Sequence, residues 1–514
     1  MRWLANSARA AARPVPSFIG GILAAASAAV ILTQQFPINL LVVPAIAGGI
    51  ALLLIPALAP ILLVVSVPIQ DVAALSIGGS ALTATKLTLA TLIAVTAIHL
   101  LIRKDEIRWS IIVVPFLGYL IAQGLSLIVA VDIESGIAEI FRWTVALLAF
   151  LTVLYAVRSA RAILALAALI GLTSLGEAIY GAIQAFLGLG PKSFEASNDL
   201  SRAFGTFGTP NTFAGYLEMT GPWLASLAIL GWIQSVKLFR RYRARRVVGM
   251  NDSRVDRGAL ILSLIVSLWS GGAAFAALAG IGLSLSRGAW LGISAAIVAM
   301  IMVSGKRGFF VGFVGMLVVG FFLAAGGMGY TPPAIHDRYD QLVSQLHFFD
   351  SRDVRVTPEN FAAVERMAHW QTGIAMFESH PVLGIGIGNF NDRYRDFYVN
   401  PRFSASRGHA HNYYIHAAAE TGLVGLTTYL VLLVTVSFTC IRASRSAPSS
   451  LGRALGIGAV GVTAAVMVHN VVEDLHVLNL GIQLSAIWAL AVIGLRFLPA
   501  GDPELLSGEA GVNG

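Results

Sequence analysis

The sequence predicts an all-α polytopic membrane protein of about 12–14 transmembrane helices with one long, partly helical periplasmic loop. Three observations carry this. Only 12% of the 514 residues are charged, 56% are hydrophobic and the mean hydropathy is +0.77, whereas a soluble chain carries about 25% charge. Apolar runs long enough to cross a hydrocarbon core of roughly 30 Å recur from end to end. With no water in that core each run must satisfy its own backbone groups, which makes it a helix. Finally, the cations alternate in position from one connection to the next.

Spans are expected near 17–33, 38–55, 57–69, 83–101, 110–130, 137–156, 162–187, 211–233, 258–284, 288–304, 308–327, 413–440, 453–469 and 479–497. The second and third are short and interrupted by Pro56, Pro60 and Pro68, as one re-entrant or kinked unit would be. Arg2, Arg9 and Arg13 precede the run from Ser17 to Thr33, and with no small-residue cleavage site after it the run is expected to stay as a first span. Arg103, Lys104 and Arg108, then Arg158 and Arg161, the basic stretch Lys237–Arg257, Lys306 with Arg307, and Arg442 with Arg445 all fall on one side by parity. By the positive-inside rule that side and both termini are cytoplasmic, in a cell inner membrane. The other side receives a loop at 188–210, the turn Ser286-Arg287-Gly288 and a polar segment from 328 to 412. The expected organisation is a transmembrane bundle over 1–327, a periplasmic loop domain over 328–412, C-terminal spans over 413–498 and a disordered cytoplasmic tail over 499–514.

The net charge of +8 sits in short loops, so no contiguous basic face for nucleic acid exists. Cys440 is the sole cysteine, which excludes a disulfide framework and a thiolate metal site. Within the long segment, Thr357 and Pro358 predict an N-cap and first turn for a helix over Glu359–Ser379, ended by His380-Pro381. Gly384 to Asn389 predicts a turn, and Asn389 to Tyr398 a second short helix. The glycines follow no strand and lack nucleotide-loop spacing.

Three basic groups gather on the outer side. Arg287 stands where one apolar run ends and the next begins, either snorkelling to headgroups or facing the mouth of the bundle. Arg366, His369 and Trp370 share one helical face, with Glu365 on another. His409 and His411 precede a span. A metal would need a third ligand that the sequence does not supply nearby, and a neutral imidazole suits proton transfer near neutral pH. His469 and Glu473, four apart, are candidates for a pair at the cavity edge or for a packing role. Deep ionisable residues are sparse, with Lys86 and Glu177 the examples.

The succession Arg202-Ala203-Phe204-Gly205-Thr206-Phe207-Gly208-Thr209-Pro210-Asn211, Ser286-Arg287-Gly288, Arg366 with Trp370, His380-Pro381-Val382-Leu383-Gly384-Ile385-Gly386, and His411-Asn412 with Glu420-x-Gly-Leu-x-Gly-Leu resembles the O-antigen ligase/polymerase superfamily, over about 200–426. The resemblance implies an inverting glycosyltransferase that moves a glycan from a polyprenyl-diphosphate carrier to an acceptor hydroxyl on the periplasmic face. It implies no metal and no cofactor. The acceptor could be lipid A–core, a growing polysaccharide or a protein. By motif, Arg287 and Arg366 would bind the diphosphate and His411 would serve the acceptor. Arg202, His409, Asn412, Trp370 and Glu420 are further substrate-binding candidates, with Asn412 placed to fix the His411 ring. Residues 328–357, with Tyr330, Tyr339, His347, Phe348 and Phe349, lengthen the outer segment beyond a compact ligase. Two other classes stay open: a transporter of a small anion such as bicarbonate, and a non-catalytic subunit of a polysaccharide export machine.

Overall fold

A computed structural model describes residues 58–70, 74–77, 80–83, 108–197, 200–247, 253–327, 348–357 and 360–499. The spans expected at 17–33, 38–55 and 83–101, Lys86, Tyr330, Tyr339, His347 and the tail beyond Pro499 lie outside these residues, or nearly so: of the fourth span only Thr83 is described. The described chain is almost wholly helical. It comprises α1 (Leu58–Ser66), α2 (Val113–Ser126), α3 (Ile133–Ala156), α4 (Ala160–Phe186), α5 (Pro210–Val247), α6 (Ser253–Ser284), α7 (Arg287–Val303) and α8 (Lys306–Gly327). Then follow α9 (Phe361–Ser379), α10 (Phe390–Phe397), α11 (Tyr413–Ser446), α12 (Ser450–His469) and α13 (Leu480–Arg496).

Six of these, α3 to α6 with α11 and α12, are long and apolar enough to cross a membrane. The fold is therefore the all-α polytopic bundle the sequence predicts. Two antiparallel hairpins, β1 (Ala74–Ile77) with β2 (Ser80–Thr83) and β3 (Glu195–Ser197) with β4 (Leu200–Ser201), are local additions that it does not predict. The first part of the basic stretch, from residue 237 to 247, is also not a loop. Helix α5 runs through it to Val247, because arginine and lysine are good helix formers.

Capping and small residues explain the element ends and contacts. Asp132 accepts from Glu134 N and Ser135 N, Ser159 from Ala162 N, and Ser449 from Gly452 N, each filling an orphan donor of a first turn. Helices α5 and α6 approach at Gly231, where an added Cβ would stand 2.9 Å from the backbone of Ser263 and Ser267. Ser235 and Ser263 hydroxyls bond across the same interface at 2.8 Å. Small residues with polar cross-links are how apolar helices associate when lipid is as apolar as they are.

The segment between α8 and α11 packs on the bundle through α9 against α11. Met376, Ile385, Phe390, Tyr394, Ala410 and Ala419 form its small core. Helix α9 starts at Phe361 with Asn360 as its N-cap residue, two residues after the expected start. Thr357 instead exchanges hydrogen bonds with Asn360, accepting from its N–H while its own N–H donates to Asn360 Oδ1. Beyond α9 the chain is strapped to α11. Ile385 N–H donates to Ala419 O at 2.9 Å and Gly386 N–H to Glu420 O at 3.0 Å. Asn389 is a strut rather than a side-chain cap for α10, accepting from Val131 N and Asp132 N and donating to Asp132 O.

Helix α11 is broken at Gly422, whose φ of 62° is left-handed. The break turns Leu423 N–H to Pro381 O at 2.8 Å, and a Cβ at Gly422 would overlap the Val382 backbone. Gly422→Ala is expected to destabilise by more than the about 1–3 kcal/mol of backbone strain alone. Gly124→Ala, at a helical glycine with nothing within 4 Å, should be neutral or gain up to about 1 kcal/mol. Thermal melting of both variants in detergent checks the contrast.

Candidate functional site

At one end of the bundle a cavity of about 850 Å³ opens between helix termini, lined by Arg202, Arg287, Arg366, His411, His469 and Glu473 among others. Each residue arrives on a pinned piece of chain. Arg202 precedes α5; its Nε donates to Ser284 O at 2.9 Å and its Nη2 to Asn211 Oδ1 at 3.2 Å. The following loop is held by Glu177, which accepts from the N–H and hydroxyl of Thr206. This deep carboxylate is thus structural. Arg287 opens α7 immediately after Ser286, which caps Ala289 N–H. Arg366 projects from α9.

Neither Arg287 nor Arg366 has a hydrogen-bond partner among the described residues, and Arg366 Nε is buried without one. Burial lowers the Arg366 pKa, with Glu473 opposing and Arg287 adding to the shift. Burial likewise lowers that of Arg202, again with Glu473 opposing. Two guanidiniums, those of Arg202 and Arg366, therefore act on one carboxylate, Arg287 adds a third cation to the cavity, and Arg287 and Arg366 keep their donors free. An arginine fork matches phosphate or carboxylate oxygens bidentately.

Glu473 is the hub. Its Oε1 lies 3.0 Å from His411 Nδ1 and 3.7 Å from His409 Nε2, and its Oε2 accepts from Asn211 Nδ2. Burial would raise its pKa, yet His411, their hydrogen bond, His409 and Arg366 hold it well below the usual carboxylate range. The loop that presents it is fixed by Asn470, whose Oδ1 accepts from Leu475 N–H at 2.9 Å, and by Asp474, which accepts from His476 N–H at 2.8 Å. His476 in turn bonds Tyr429 at 2.9 Å. His469, expected to pair with Glu473, turns instead to Glu218. That carboxylate, in the third turn of α5, is one the sequence does not single out, because the surrounding apolar residues mask it.

His411 occupies the left-handed region at φ 53°, an uncommon place for histidine. It is held there from both sides. Its N–H donates to His409 Nδ1 at 3.1 Å and its carbonyl accepts from Trp370 Nε1 at 3.1 Å. His369 meets its ring edge-on at 5.4 Å. The shared face of Arg366, His369 and Trp370 is thus turned toward His411, while Glu365 pairs with Arg407 at 2.9 Å.

Three expected contacts with substrate are used otherwise. Asn412 caps α11, accepting from Tyr414 N and Ile415 N, so Glu473 rather than Asn412 fixes the imidazole. Glu420 is away from the cavity lining, its carboxylate accepting from Gly388 N and Phe390 N at 2.9 Å each. Trp370 is buried as a buttress to the His411 backbone. Of the outer aromatics, Phe349 lines the cavity.

Residues 272–430 match the family model described as O-antigen ligase. The chain carries a domain of the O-antigen ligase/polymerase superfamily. No curated protein matches it. The matched residues of the ligase domain include Arg287, Arg366 and His411, whereas Arg202 and Glu473 lie outside them and complete the same cavity. Glu473 also supplies the third ligand type that the two histidines lack in sequence, since ligand atoms of His409, His411 and Glu473 lie within 4.8 Å of one another. Their chemistry opposes a dication there. Two guanidiniums already act on the carboxylate, and the His409 Nδ1 lone pair is taken by a backbone N–H.

Burial holds both His369 and His409 at about 4, with the neighbouring His411 adding to the shift in each. The unfolded chain, with histidines near 6.5, then takes up protons that the folded chain refuses. Stability is therefore expected to fall as pH drops from about 6.5 to 4. His409→Gln should flatten that fall, as read by melting temperature against pH.

Proposed function

We propose that the ligase domain transfers a glycan from a polyprenyl-diphosphate carrier to an acceptor hydroxyl, with inversion and without a metal. The observation that carries this reading is the pair of unpartnered guanidiniums, Arg287 and Arg366, in one cavity with His411. Two permanent cations with free donors call for a dianionic group. Fixed positive charge at a departing diphosphate stabilises the developing negative charge and takes the part that Mg²⁺ plays elsewhere.

The proton chemistry follows from Glu473. Arg366 and Arg202 keep its charge in place, and the tautomer of His411 that donates Nδ1–H to it carries its lone pair on Nε2. Nε2 takes the acceptor hydroxyl proton as the acceptor oxygen bonds to the anomeric carbon from the opposite side. The bond between that carbon and the diphosphate oxygen breaks, and its electron pair leaves on the diphosphate. His409, with Nδ1 occupied, supports the His411 backbone instead of acting as the base.

The cavity opens at the end of the bundle opposite Lys237, Arg240 and Arg241 on α5, Lys306 and Arg307 on α8, and Arg442 and Arg445 on α11. This supports a periplasmic site in an inner membrane, with residues 348–357 and 360–412 as its outer cover. Phe349 on the lining offers a face on which a sugar ring can stack.

Transfer in vitro from a polyprenyl-diphosphate glycan, with EDTA present, tests the reading. His411→Asn is expected to lose about 10²–10⁴-fold in rate. Glu473→Gln should lose about 10²-fold or more through misplacement of the imidazole proton, and Arg287→Ala and Arg366→Ala should abolish turnover in folded protein. Transfer that is indifferent to the arginines, or that requires an added metal, would sink it.

A further inference from the structure

The mechanism above leaves unused a fully buried ion pair at the cavity wall. Glu218 on α5 and His469 at the end of α12 are both buried, with His469 Nδ1 2.6 Å from Glu218 Oε2. Helix α7 is cut away where it crosses them. A Cβ at Gly288 would stand 2.5 Å from His469 Cδ2 and 2.7 Å from its Nε2, and one at Gly292 would overlap Glu218 Oε1. Gly288 and Gly292, four apart, lie on one face. The other ring nitrogen, Nε2, has no partner among the described residues, and His469 lines the same cavity as Arg287.

Such a pair is poor cement. Apolar residues of similar size commonly serve as well or better in a buried site, and ionisable groups at membrane depth are functional by default. Its proton state follows from its surroundings. Among the described residues no cation other than His469 pairs with Glu218, so burial favours the form of the pair with no net charge. That form is either carboxylate with imidazolium or carboxylic acid with imidazole. In both, Nε2 carries a hydrogen. His411 differs, because Arg366 and Arg202 balance Glu473 and leave its Nε2 bare.

We propose that His469, set by Glu218, is a diphosphate-binding residue: its Nε2–H donates to a phosphate oxygen held beside Arg287 at the start of α7. This rests on the diphosphate reading of the cavity. It assigns the two imidazoles opposite duties, His411 accepting a proton and His469 offering a fixed donor.

Binding of inorganic pyrophosphate to the purified full chain in detergent, by calorimetry, tests it. The double variant Glu218→Met with His469→Leu replaces the pair by apolar groups of similar size, and His469→Gln is a second, milder change. Both are expected to melt close to the parent and to bind pyrophosphate about tenfold more weakly, the loss of one hydrogen bond to a charged group. In transfer assays they should raise the donor KM more than they lower kcat. His411→Asn should bind pyrophosphate like the parent. Unchanged affinity in both folded variants, with binding lost in Arg287→Ala, overturns this inference alone and leaves the pair as a helix junction. No pyrophosphate binding by the parent, or binding indifferent to Arg287→Ala, overturns the inference together with the diphosphate reading.

Discussion

A carboxylate buried at the mouth of a membrane bundle has to be balanced charge for charge, and Glu473 is balanced by residues that no short stretch of sequence could supply together. Arg202 comes from the chain before α5, Arg366 from the outer segment and His411 from the entrance to α11. Asn211 adds a donor from the first turn of α5. Removing the carboxylate would leave clustered cations facing one another at low dielectric, where repulsion is far stronger than in water. The site is therefore an electrostatic unit, and its geometry stands or falls with that one side chain.

The unit is rigid because its supports are hydrogen-bonded to backbone. Asn470 holds the turn that carries Glu473, and its carbonyl accepts from Tyr413 N–H at 2.9 Å, which ties that turn to the start of α11 just beyond His411. Tyr119 and Tyr413 hydroxyls meet at 2.8 Å, and Trp143 packs among these rings. An imidazole in the role proposed for His411 has to be held within fractions of an ångström to be useful. Here its backbone is held by Trp370 on one side and His409 on the other, while its ring is held by Glu473.

Much of this was legible in the sequence and the remainder was not, for a consistent reason. The spans from 110 onward were visible because apolar runs of bilayer length have one solution. Arg287 was visible because it interrupts two such runs, and Arg366 with Trp370 because helical spacing puts them on one face. The amide and carboxylate side chains were harder. Asn412 and Glu420 have the chemistry to hold a sugar or a backbone N–H equally well, and only the fold shows that each serves the backbone. Glu473 looked paired to its neighbour at helical spacing, but the helix ends at His469 and the turn sends the two side chains to different partners. Glu218 was hidden by averaging, since one carboxylate barely lowers the hydropathy of a long span.

Helix α5 has a consequence beyond the cavity at its start. At 38 residues it is about 57 Å long, well over the roughly 30 Å of a hydrocarbon core. Its last turns hold Lys237, Arg240, Arg241, Arg243, Arg245 and Arg246, a charged stem standing clear of the lipid on the proposed cytoplasmic side. Drawing these cations across the membrane would oppose a potential that is negative inside, at about 2.3 kcal/mol per charge for each 100 mV. In the proposed orientation the stem is an electrical latch set during insertion, one that holds the cavity end of the bundle on the opposite side.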